Sequence, residues 1–183
     1  MQKSTVCPFI QCHRVKSPMT PFSDIEKQLT AFSQRHPEYS LSEALLVRLI
    51  RMLDKLMADN AHQQLRKYGL SLSEYNTLTM LEGSEDGLTV SEVIALTGEK
   101  PSNITRVTDQ LFAKGLIERR VSPIDRRVWL LNLNEEGRAL LKQLLPDISA
   151  QLRSIFAGVN QPQRENLEAS LKLLLQSVSK EIQ

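Results

Sequence analysis

The sequence predicts a mainly α-helical (α+β) chain with a single short β-hairpin, and three observations carry that reading. Aromatic residues make up only 5% of the 183 residues, while leucine is abundant. That balance suits helices better than the aromatic-rich and β-branched strands of a sandwich. Apolar residues recur at three- and four-residue steps along most of the chain, and the pattern turns strand-like at Leu116–Val121 and Val128–Leu133.

Taken in order, residues 1–22 read as a flexible N-terminal extension, broken by Pro8, Pro18 and Pro21. Met19 would serve well as a start, and residues 1–18 are expected to be dispensable. Phe22–His36 is expected to form a short amphipathic helix stopped by Pro37. A long helix, Ser42–Tyr68, follows. Its Leu45, Leu46, Leu49, Ile50, Leu53, Leu56, Met57, Ala61 and Leu65 share one broad face. Such a helix spans about 40 Å, more than one small domain can cover, so a partner helix or subunit is implied.

Gly69 ends this helix as glycine does just past a C-terminus. Ser71–Glu74 and Thr89–Glu92 each have the capping-box pattern, opening helices that end near Leu81 and at Gly98. Gly83–Gly87 forms the loop between them. Pro101 suits an early helical position, and the third helix runs from Ser102 to Lys114, stopping at Gly115. The two strands come next, joined by Ser122–Arg127. Asn134 caps a long helix from Glu135 to about Ala157, in which a kink or break is expected near Pro146. Residues 160–163 cap a last helix whose Leu167, Leu171, Leu174 and Val178 form a coiled-coil-like stripe.

Short helix, turn, helix and two-stranded wing together make a winged helix-turn-helix. Four segments are therefore expected: the extension at 1–22, N-terminal dimerisation helices at 23–69, the winged DNA-binding domain at 70–133, and C-terminal dimerisation helices at 134–183. The formal net charge of +2 does not by itself argue for nucleic acid. Between Glu99 and Leu133, however, seven basic residues against four acidic give +3, a local concentration of the kind that does.

Two places would carry DNA recognition. On the third helix Ile104, Val107 and Leu111 face one way, while Ser102, Asn103, Arg106, Asp109 and Gln110 face the other, with Thr105 at the border. Short polar side chains at a helix N-terminus suit phosphates. Arg106, one turn in, can reach a guanine edge in the major groove. A solvated helix face is the plain alternative, but the turn before and the wing after it favour DNA. In the wing, Arg119, Arg120, Arg126 and Arg127 suit the strongly negative minor groove. Asp125 at the tip would repel phosphate unless paired, so it is read as holding Arg127 in one orientation.

The stretch Gly98–Arg120, with Asp125-Arg126-Arg127, Val128–Leu133 and Asn134–Gly137 after it, closely resembles the recognition-helix and wing region of MarR-family regulators. The likeness covers roughly Tyr39 to Ile182 and is strongest to the EmrR (MprA) branch, which represses multidrug-efflux operons. It implies a homodimer on a pseudo-palindromic operator, with the first and last helices forming the interface. It also implies a repressor released by a small amphipathic or phenolic ligand. The lining for that ligand would come from the long helix and the helix at Ser71–Leu81, with Met52, Leu56, Tyr75 and Met80 as candidates. Plain core packing is the alternative for each.

The remaining signals are negative. Cys7, Cys12 and His13 lack a zinc spacing and a fourth ligand, so no metal or cofactor is expected. Cysteine usage fits a reducing cytoplasm. No apolar run approaches the ~18 residues of a membrane span. No phosphate loop, nucleophile elbow or paired catalytic constellation points to an enzyme. The rival reading is a winged domain kept as a dimerisation scaffold without DNA binding, which would have no use for a basic wing.

Overall fold

Side-chain caps and glycines set most of the helix boundaries, as a computed structural model describing residues 21–181 makes visible. The readings placed on Cys7, Cys12, His13 and Met19 lie outside the described residues. Helix α1 spans Pro21–Arg35 and α2 spans Leu41–Leu65. The chain divides into two compact units between Leu56 and Met57, within α2. In the first unit Phe32 stacks on His36 with ring centroids 4.4 Å apart and meets Tyr39 edge-on at 4.9 Å. Aromatic packing thus closes the turn at Pro37.

The second unit begins with a tightened helix end. Arg66–Tyr68 is a 3-10 turn rather than the final α-helical turn that the periodicity suggests, and Gly69 then takes a left-handed φ of 66°. Helices α3 (Leu72–Glu82) and α4 (Val90–Thr97) both open with complete capping boxes, Ser71 with Glu74 and Thr89 with Glu92. In each, the hydroxyl accepts from the glutamate N–H, and the glutamate carboxylate accepts from the N–H of the capping residue. Helix α5 (Pro101–Ala113) starts on its proline, whose missing N–H costs nothing there.

Strands β1 (Ile117–Val121) and β2 (Trp129–Leu133) pair antiparallel, with Arg119 opposite Leu131 and Val121 opposite Trp129. Leu88 adds a single bridge to Leu131 on the far side of β2. One residue is too short to leave a period in the sequence. Helices α6 (Glu135–Ile155) and α7 (Gln161–Glu181) complete the chain.

The core lies among α3, α4, α5, the hairpin and α6. Leu78, Val93, Ile104, Leu111, Leu131 and Leu144 are all fully buried in it. The hairpin is tied to α6 at its root. Asn134 Oδ1 accepts from Gly137 N at 2.9 Å while its Nδ2 donates to the Gly115 carbonyl at 2.8 Å. A Cβ on Gly137 would lie 2.3 Å from the Leu116 carbonyl oxygen, so only glycine lets α6 approach the start of β1 this closely.

Helix α6 is not broken at Pro146. Leu141, Leu144 and Ile148 are buried on both sides of the proline, while Pro146 itself is exposed. Packing of that stripe holds both halves on the core and outweighs the hydrogen bond that proline removes.

The outer helices behave differently. Leu46, Leu49, Ile50, Leu53 and Leu56 of α2 are 36–60% exposed, and Leu167, Leu171, Leu174 and Val178 of α7 are 43–47% exposed. Among the described residues no helix is long and apolar enough to cross a membrane, and no cluster of His, Cys, Asp or Glu could hold a metal ion.

Candidate nucleic-acid interface

Helix α5 divides cleanly into two faces. Ile104, Val107, Thr108 and Leu111 are buried, which turns Ser102, Thr105, Arg106, Asp109 and Gln110 outward. No side chain caps its N-terminus; Pro101 has no N–H to satisfy, and the Asn103 and Ile104 amides donate to the Lys100 carbonyl at 2.9 and 3.1 Å. Arg106 lies along the exposed face, donating to Gln110 Oε1 at 2.7 Å and to Asn103 Oδ1 at 2.6 Å. The two amides hold the guanidinium with its planar fork already aligned, which lowers the entropy lost when it binds.

Two residues expected to face DNA have work inside the protein. Asn103 is half-buried, and its Nδ2 donates to Glu99 Oε2 at 2.7 Å and to Ser73 Oγ at 3.4 Å. Ser73 Oγ in turn donates to Glu99 Oε1 at 2.5 Å. Asn103 therefore fixes α5 to α3 and offers Arg106 its carbonyl oxygen, rather than pointing freely outward. Arg119 turns towards α5, pairing with Asp109 at 2.8 Å and lying 5.5 Å from the centre of the Phe112 ring. This ties the wing to the helix beside it. Arg120 pairs with Glu118 on its own strand.

The wing tip is ordered by two short side chains. Ser122, itself buried, accepts at Oγ from Ile124 N at 3.3 Å and Asp125 N at 3.4 Å. Asp125 accepts from Arg127 N at 2.9 Å and from the guanidinium at 3.3 and 3.4 Å. The backbone hydrogen bond from Arg127, and then the side-chain one, hold the Asp125 carboxyl below its ordinary range. Arg127 nonetheless stays 91% exposed along its side chain. Arg126 is exposed, with no partner among the described residues.

A third arrangement left no mark in the sequence. Lys114, at the C-terminal end of α5, donates to Glu74 Oε1 at 2.6 Å and to the Gly69 carbonyl at 2.8 Å. The Glu74 side chain is only 4% exposed. Burial pushes its carboxyl up, but the hydrogen bonds from Lys114 and Ser71 and the Lys114 charge outweigh this and pull it below the usual value. The clasp joins the end of the long helix, the start of α3 and the end of α5. Its partners lie 40 residues apart, so only the fold reveals it.

The candidate ligand residues are distributed over two helices. Met52 is half-buried and Leu56 exposed on the first-unit part of α2. Tyr75 and Met80 are half-buried on α3, and Tyr75 packs against the core, where burial raises the pKa of its hydroxyl.

A helix presenting an arginine between polar side chains, beside a hairpin that projects further arginines, defines a winged helix-turn-helix DNA-binding protein. The MarR family model matches residues 68–128, spanning α3 to the wing tip. The Transcriptional repressor MprA of Escherichia coli K12 is 30% identical over 155 residues, 84% of this chain and 88% of that protein. The chain belongs to the MarR family and is a DNA-binding transcriptional regulator. CouR of Rhodococcus jostii RHA1, solved bound to p-coumaroyl-CoA, superposes with a TM-score of 0.62 at 26% identity, covering 71% of this chain and 88% of that one. Sco3205 of Streptomyces coelicolor, solved in complex with DNA, shares the fold with a TM-score of 0.70 at 21% identity, covering 76% of this chain and 89% of that one.

Proposed function

We propose that two copies of this chain bind a pseudo-palindromic operator, each placing α5 in a major groove and its wing in the adjoining minor groove. The observation that carries this reading is the pre-aligned pair of arginines, Arg106 on α5 and Arg127 on the wing, both fixed by hydrogen bonds while exposed. Ser102, Thr105 and Gln110 flank Arg106 at the groove, and Arg126 joins Arg127 on the phosphates. The exposed leucine stripes of α2 and α7 supply the dimer surface. Two-fold symmetry would set the recognition helices about 34 Å apart, one turn of DNA.

The protein acts as a repressor at genes for multidrug efflux or stress, in keeping with the repressor named among its relatives. A small amphipathic or phenolic effector releases it. CouR, which binds a p-coumaroyl thioester, lends support to a phenolic class. Met52, Leu56, Tyr75 and Met80 remain the residues to substitute in testing effector binding. The winged domain at 70–133 is the part expected to touch DNA, with the dimerisation helices on either side.

Fluorescence anisotropy on the chain's own promoter region tests the central claim. Arg106→Ala and Arg127→Ala should each weaken binding by at least ~1 kcal/mol, and wild-type affinity should fall steeply with salt. Wild-type affinity in both variants would overturn the assignment. Titrating the complex with salicylate-like compounds tests the effector, and binding unaffected by every phenolic compound would count against release by this class.

A further inference from the structure

The wing tip presents an apolar side chain between its cations, and electrostatic recognition leaves that side chain unused. Ile124 is 96% exposed, more than any other large apolar residue among those described. A single exposed isoleucine needs no explanation on an ordinary surface. Here its surroundings are particular. Ser122 Oγ accepts from the Ile124 N–H itself, Ser122 N donates to the Val128 carbonyl at 2.9 Å, and Val128 N donates to the Asp125 carbonyl at 2.9 Å. These bonds close the loop at its base, while Asp125 turns back to grip Arg127. Ile124, Arg126 and Arg127 are left standing outward from one fixed turn.

We infer that Ile124 is the apolar contact of the wing, seating against the deoxyribose edges of the minor groove between the phosphates that Arg126 and Arg127 engage. The inference rests on the wing–DNA reading above. The minor groove is a slot about 6 Å wide, walled by sugars whose C–H edges are apolar and rimmed by phosphates. A tip with a β-branched hydrocarbon at its centre and guanidinium groups beside it matches that lining. The basic flanks favour a polyanion over an apolar protein surface as the occupant. Isoleucine is stiff at χ1, so little rotamer entropy is lost on seating it. Both the backbone and the side chain are thus set before DNA arrives.

This contact has a signature that arginine contacts lack. Apolar burial releases no condensed counterions, so it contributes equally at every salt concentration, whereas each arginine–phosphate contact steepens the salt dependence. The test is anisotropy titration of the full chain on its promoter duplex across a range of KCl concentrations, comparing wild type, Ile124→Ser, Ile124→Val and Arg127→Ala. Ile124→Ser should bind about five- to tenfold more weakly at every salt concentration, with the wild-type salt slope. Ile124→Val should stay within about twofold of wild type, because most of the buried hydrocarbon remains. Arg127→Ala should lower the salt slope by about one.

If Arg127→Ala weakens binding while Ile124→Ser matches wild type, the wing touches DNA without Ile124 and the inference fails alone. If both variants match wild type, the wing–DNA reading fails and the inference with it. If Ile124→Ser alters the sedimentation of the free protein, the tip meets a second copy and the inference is overturned. The thermal midpoint of Ile124→Ser should equal that of wild type, since the side chain touches no core.

Discussion

Helices α5 and α7 carry the same kind of apolar stripe and meet opposite fates. On α5, Ile104, Val107 and Leu111 are wholly buried against α3, α4 and the hairpin. On α7, Leu167, Leu171, Leu174 and Val178 keep nearly half of their surface in water. A stripe at helical spacing states that a face needs covering; it does not say whether the cover comes from the same chain or from another copy. The contrast separates a stripe covered within the chain from one that stays exposed, which is the surface proposed above for a second copy.

Substitutions can break that contrast in both directions. The largest effect is expected in the core. Leu111→Ala should cost about 2–5 kcal/mol of unfolding free energy by urea titration, because the cavity it leaves lies among fully buried neighbours. On α7, Leu171→Asp combined with Leu174→Asp should instead convert the proposed dimer to monomer at micromolar concentration by analytical ultracentrifugation, while the winged region keeps its far-ultraviolet circular dichroism. If this double variant sediments as wild type does, α7 is not the dimer surface.

Glu74→Gln should come next, at about 1–3 kcal/mol, reduced from the cost of a wholly buried pair because Lys114 is partly solvated. Its pH dependence has a definite sign. The folded pKa of Glu74 is depressed, so the ion pair stabilises above the ordinary glutamate value and is lost as pH falls through the folded one. The stability gap between wild type and variant should therefore be flat near neutrality and narrow in acid. A gap that widened in acid would contradict the clasp.

The smallest effect is expected at Asp125→Ala, about 0.5 kcal/mol weaker DNA binding from a less ordered Arg127. Because Arg127 holds the Asp125 carboxyl below its ordinary range, the difference should persist as pH falls through that range and disappear only below it. A variant that bound more tightly than wild type would show that the Asp125 charge repels phosphate rather than orienting the arginine.

Much of this molecule was legible before any coordinates, for local reasons. Capping boxes at Ser71 and Thr89, the glycine after α2, the proline opening α5 and the asparagine before α6 act within four residues of themselves. A reader of the sequence therefore meets cause and effect side by side. The Asp125–Arg127 pair, two residues apart, was legible for the same reason. Pro146 misled because its local preference was overridden by Leu144 and Ile148, whose burial depends on elements far along the chain. The outward reading of Asn103 missed Ser73, 30 residues away.

What the sequence determined by itself was the order of elements, the faces of the helices and the concentration of positive charge around the wing. These follow from period, capping and composition, which act over a few residues. Only the tertiary structure decided which polar groups remain available. It bonded Asn103 to Ser73 and Glu99, paired Arg119 with Asp109 on α5, joined Lys114 to Glu74 and Gly69, and left Arg126, Arg127 and Ile124 projecting from a closed loop. The physical reason is that a side chain's partner is set by proximity in space, and buried polar groups must find one. The pairings of polar groups far apart in the chain exist only once the core has brought the elements together.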